Sequence, residues 1–95
     1  MGLTEAKEYI QRALKLRSEG RLEESILAAR KATSLDPKDA NAWWQLALSI
    51  RDKDGGDASV SALETVCDLV PDFAGGWHEL GSVHHNAGRL AVKLQ

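Results

Sequence analysis

The sequence predicts an all-α fold of stacked antiparallel helix pairs, and three observations carry that prediction. The chain repeats itself every 34 residues: Leu35-Asp36-Pro37 recurs as Leu69-Val70-Pro71, and Trp43 recurs as Trp77. Gly20-Arg21-Leu22 returns two periods later as Gly88-Arg89-Leu90. Between these markers the apolar residues fall three and four positions apart, the spacing of one helix face. A period of this size is that of helix–turn–helix units, each with an apolar face it cannot bury alone, so that neighbours must stack.

Six helices follow from period and punctuation. Thr4 is positioned to cap the first, whose stripe is Tyr9, Ile10, Ala13, Leu14 and Leu16. Gly20 ends it by taking a left-handed turn without steric cost. The second helix, about 22–34, carries Leu22, Ile26, Leu27, Ala29 and Ala32, and Pro37 cannot continue it. Asp39 can cap the third, about 40–52, which holds Trp43, Trp44, Leu46, Ala47, Leu48 and Ile50. Asp54-Gly55-Gly56 forms a turn, and Asp57 is the expected cap of a fourth helix over about 58–69. The fifth, about 74–86, contains Trp77, Leu80 and Val83; the last runs from Arg89 to Gln95. Gly75-Gly76 in the first turn of the fifth helix weakens it, since a helical glycine costs about 1 kcal/mol relative to alanine.

The residues that carry the repeat resemble the tetratricopeptide repeat family. Units at 6–39, 40–73 and an incomplete 74–95 place Tyr9, Trp43 and Trp77 at the family's large aromatic position. The following leucine and small residue are matched by Leu46-Ala47 and Leu80-Gly81, and broken at Arg12-Ala13. Ser25 and Ala32, then Ser59, stand where the family packs small residues of the second helix, with the bulkier Val66 as a substitute. Gly56 occupies a place where the family usually has a large apolar residue. The resemblance implies one domain forming a short right-handed α-solenoid. The short last helix is expected to make the chain a fragment of a longer protein or an array completed by another subunit.

Composition narrows the function. A formal net charge of −2 argues for neither nucleic acid nor membrane as partner. The middle unit, 40–73, is the acidic part, with six acidic against two basic side chains. No apolar run reaches the 18 or more residues of a membrane span, and the amino terminus lacks the layout of a signal peptide. Cys67 is alone, so no internal disulfide forms and a cytoplasmic location is expected. His78 and His85 lie seven apart, about 10.5 Å along a helix, and cannot chelate one metal. With no metal-ligand pair, phosphate loop or nucleophile elbow, neither cofactor nor catalysis by this chain is expected.

The resemblance places function in the groove lined by the first helix of each unit. Its positions map to Lys7, Ile10, Leu14 and Arg17; then Asn41, Trp44, Gln45, Leu48 and Arg51; then His78, Glu79, Ser82 and His85. Trp43 fills the aromatic core position, so Trp44 points about 100° away, toward the groove. Family members that clamp the C-terminal carboxylate of heat-shock chaperones use lysine and asparagine in the first unit, asparagine in the second and two basic residues in the third, at places that here hold Ile10, Leu14, Gln45, Gly75 and Glu79. A chaperone tail is therefore not the expected partner. The sequence points to a non-catalytic scaffold that binds a peptide or protein segment, apolar with an acidic flank, in its groove. The alternatives are self-association, a homodimer through the C-terminal helix, and the docking arm of a larger multidomain enzyme.

Overall fold

Backbone turns set the helix ends, and two of them are copies of each other. The computed structural model describes residues 2–83. Helix α1 spans Gly2–Ser18, α2 Leu22–Leu35, α3 Ala40–Asp54 and α4 Gly56–Leu69; α5 begins at 74 and continues to 83. Gly20 has φ 80°. Its N–H bonds the Arg17 carbonyl at 3.0 Å while the Arg21 N–H reaches Leu16 at 2.9 Å. Those two bonds close α1 in a Schellman turn that needs the left-handed glycine.

Backbone bonds of the connection from α2 to α3 recur between α4 and α5. Asp36 N–H donates to Ala32 and Asp39 N–H to Asp36 at 2.9 and 3.1 Å; one period on, Val70 donates to Val66 and Phe73 to Val70 at the same distances. The indole N–H of Trp43 donates to the Pro37 carbonyl at 2.8 Å, and that of Trp77 to Pro71 at 2.6 Å. The tryptophan and proline of the sequence repeat are thus one device: the ring staples the turn that the proline forces.

Two caps differ from the sequence expectation. Helix α1 starts at Gly2, so Thr4 lies inside its first turn, because nothing from Gly2 to Thr4 interrupts the helical backbone. Helix α4 starts at Gly56, directly after Gly55 at φ 99°, and has no side-chain cap. Asp57 sits in that first turn, where the helix dipole still favours its charge. Asp39 does cap α3, its carboxylate accepting from Asn41 N–H at 2.9 Å, and α3 runs to Asp54, beyond the expected stop.

The helices stack in two layers, α1 beside α3 and α5 on one side, α2 and α4 on the other. Helix α1 packs on α2 and α3, and α3 on α2 and α4. Alanines at the contacts (Ala13, Ala28, Ala29, Ala47 and Ala62) let backbones approach closely, and Leu46, Leu63, Leu80 and Val83 fill the rest of the core. Ser25 and Ser49 are fully buried; Ser25 Oγ donates to the Ala13 carbonyl at 2.7 Å and meets Ser49 Oγ at 2.7 Å. One hydroxyl pair therefore joins α1, α2 and α3. The glycines that look weak in sequence are close-contact points. A Cβ on Gly76 would lie 3.2 Å from Cys67 Sγ, and one on Gly56 2.8 Å from a Val83 methyl. Val83 of α5 supplies the apolar group that Gly56 lacks.

Candidate interaction face

On α3, positions 41, 44, 45, 48, 51 and 52 share one broad face by helical spacing. That face divides between its two neighbours. Asp52, seven residues after Gln45, leans toward α1 and takes an ion pair from Arg17 at 3.7 Å. Arg51, seven after Trp44, leans toward α5 and pairs with Glu79 at 3.0 Å, while its other guanidinium nitrogen contacts Asp52 at 3.0 Å. The result is a ladder, Arg17–Asp52–Arg51–Glu79, crossing all three helices. Burial alone pulls Arg51 down, but hydrogen bonds to Glu79 and Asp52, and their charges, outweigh it and raise its pKa.

The groove residues named from sequence separate into three groups. Lys7, Leu14, Asn41, His78 and Ser82 are exposed, Leu14 at 40%. Arg17, Trp44, Arg51 and Glu79 are half-buried and already engaged by neighbours within the chain. Ile10, Gln45 and Leu48 are buried at 3%, 7% and 8% exposure and do not present side chains on the face; Ile10 packs instead against Ala32 of α2 and Ala42 of α3. His85, like His84 and the helix expected from Arg89 to Gln95, lies outside the described residues.

Trp44 does not stand free. Its ring meets Phe73 edge-to-face, centroids 5.0 Å apart, and the two rings, with Ala40, Asn41, Val66 and Val70, enclose a hollow of about 220 Å³. Phe73 and Asp52 are the participants that the sequence reading missed. Phe73 had a signal: it falls one period after Asp39, so an aromatic replaces a helix cap. Asp52 had none, since an acidic residue near a helix end is ordinary surface.

Two buried polar atoms on this face have no partner among the described residues, Arg17 Nε and Gln45 Oε1. An unmade hydrogen bond of this kind costs about 1–3 kcal/mol. Among the described residues no cluster of metal-ligating side chains occurs, and no described helix is long and apolar enough to cross a membrane.

Cys67 is buried away from this face, at 2% exposure. Burial, then the charges of Asp68 and Glu64, push its thiol pKa upward. Alkylation of the native protein at mildly alkaline pH is therefore expected to run at least about tenfold slower than that of the urea-unfolded chain. Because the unfolded thiol ionises first, this residue's contribution to stability is present below the ordinary thiol pKa and is lost as pH rises through the folded value. Equal alkylation rates for native and unfolded chain are the result that contradicts this placement.

The two helix layers, the duplicated turn and the tryptophan staple define an all-α helical repeat of tetratricopeptide-like architecture. A tetratricopeptide repeat family model matches residues 16–39, from the last turn of α1 through α2 to the cap of α3. The match supports the resemblance carried by the repeat. No curated protein is significantly similar in sequence to the chain. Tetratricopeptide repeats in general mediate contacts between proteins, and domains built from them are typically non-catalytic.

Proposed function

We propose that the chain is a scaffold that binds a segment of a partner protein across the exposed face of α1, α3 and α5. The observation that carries this reading is the ion-pair ladder. It holds three helices in one register, and the exposed groove residues from all three units lie on the helices it joins. Leu14 supplies an apolar contact, while Lys7, Asn41, His78 and Ser82 supply polar ones.

The ladder alters the partner expected from sequence. Both guanidiniums are matched by carboxylates, so an acidic flank on the partner gains little from Arg17 or Arg51. A segment of mixed polarity fits better, one that meets the apolar Leu14 and the polar Lys7, Asn41, His78 and Ser82. A chaperone carboxylate tail remains disfavoured, because Glu79 faces the groove and the clamp cations are missing. The lone Cys67 suits a reducing compartment such as the cytoplasm.

The test is a peptide-display selection on the full chain, followed by mapping of the winning peptide by amide chemical shifts. Leu14→Asp is expected to weaken that peptide at least about tenfold with helicity unchanged. Shifts confined to the outer surfaces of α2 and α4, or an indifferent Leu14→Asp, would overturn the reading.

A further inference from the structure

Leu27 stands at the middle of the outer face of α2. At 67% exposure it is the most exposed large apolar side chain among the described residues. One period on, Ser61 holds the same place on α4 and is also exposed, so the stacking of units leaves this position in water. The row around Ser61, made of Asp57, Ala58, Glu64 and Thr65, has neither a leucine nor a cation. Leu27 is therefore peculiar to α2 and is not an apolar position that the repeat itself covers.

A lone exposed leucine is ordinary; the charges around this one are not. Glu23 and Glu24 lie four and three residues before it, Arg30 and Lys31 three and four after, and all four are exposed. Those offsets put them on the same side of the helix as Leu27. Acid and base are about 9 Å or more apart along the axis, too far to pair with each other in one helix. Arg30 and Lys31 have no ion-pair partner among the described residues. Glu24 is paired with Arg21, while the 82% exposed side chain of Glu23 reaches only Lys53, at 3.9 Å.

We infer that two copies of this chain associate through the outer faces of α2, antiparallel about a two-fold axis at Leu27. Such an axis sets each residue before Leu27 opposite the residue equally far after it in the other copy. Glu23 then meets the partner's Lys31 and Glu24 the partner's Arg30, each pair occurring twice, while the two leucines pack at the axis. A parallel pairing would set Glu23 against Glu23 and Lys31 against Lys31. Each leucine has room beside it, in a hollow of about 280 Å³ lined by Ile26, Glu23 and Lys53. The hollow toward α1 is edged by Arg12, stacked on the Tyr9 ring at 5.0 Å, and the pairing does not enter it. One helix face buries less than the roughly 1,200–2,000 Å² of a standard interface, so the dimer is weak and depends on concentration. It uses neither the ladder nor Leu14, and is separate from the peptide-binding face proposed above.

Sedimentation velocity on the full chain tests this from micromolar to millimolar concentration. The mass is expected to rise to two copies and stop there, because a two-fold contact is closed. Glu23→Lys and Lys31→Glu each bring like charges together twice per dimer, and each is expected to raise the dissociation constant at least about tenfold. Both positions are exposed, so the fold persists, which circular dichroism checks. An equimolar mixture of the two variants regains both pairings and is expected to recover the wild-type affinity as a mixed dimer. Leu27→Glu is expected to leave a monomer throughout. A wild-type chain that is monomeric at millimolar concentration overturns the inference. So does a mass beyond two copies, or a mixture that associates no better than either variant alone. A dimer that Leu14→Asp or Leu94→Glu dissolves while Glu23→Lys does not would place the contact elsewhere, and overturns it too.

Discussion

Replacing Leu63 with alanine is expected to remove about 4 kcal/mol of stability, the upper part of the range for buried leucine. Leu63 is 1% exposed and sits in the core that joins α3, α4 and α5. On the two described helices that pack there, α3 and α4, the same cluster includes Ala47 and Ala62. Alanines cannot reach into a vacated space, and the helix backbones are held by the duplicated turns, so the cavity stays open instead of collapsing. A chain of this length has only about 5–14 kcal/mol in total. Urea denaturation should show a much lower midpoint with an unchanged slope. A loss below about 1 kcal/mol would mean that the helices can close over the gap, and that the packing described here is softer than drawn.

The buried hydroxyl pair is the second place where a small change has a large effect. Ser25 Oγ gives its one proton to the Ala13 carbonyl, so Ser49 must be the donor in the 2.7 Å contact between the two hydroxyls. Both serines are fully buried. Ser25→Ala leaves the Ser49 proton without its acceptor and is expected to cost about 2 kcal/mol. Ser49→Ala leaves Ser25 bonded to Ala13 and is expected to cost about 1 kcal/mol or less. The double variant should cost less than the sum, since the second change removes a group already orphaned. Equal single costs, or strict additivity, would show that the hydroxyls do not act as a relay between helices.

Much of the architecture was legible in the residues. Gly20, Pro37 and Pro71 set turns that local backbone physics enforces, and Asp39 capped its helix as expected. The caps at Thr4 and Asp57 were misread because a capable side chain does not oblige a helix to start there; the helix runs on wherever the preceding backbone permits. The groove was legible as a row of positions but not as a surface. Spacing puts Ile10, Gln45 and Leu48 in the row expected to line a groove, yet all three are buried, Ile10 against Ala32 of α2 and Ala42 of α3.

Trp44 illustrates the same division. From its place beside Trp43 it is expected to point toward the groove; in the structure it packs against the core and edge-to-face with Phe73. That partner was not legible, because Phe73 lies 29 positions away and reaches Trp44 only once α4 has turned the chain back.

By itself, then, the sequence determined the helical class, the 34-residue spacing and the turns, because each depends on local periodicity and on glycine and proline. Only the tertiary structure decided which of the groove residues remain available. Arg17 and Arg51 are spoken for by Asp52 and Glu79, and Trp44 by Phe73. Those pairings join residues on different helices, and charge or ring contacts of that kind are set by distances between helices that no local pattern encodes.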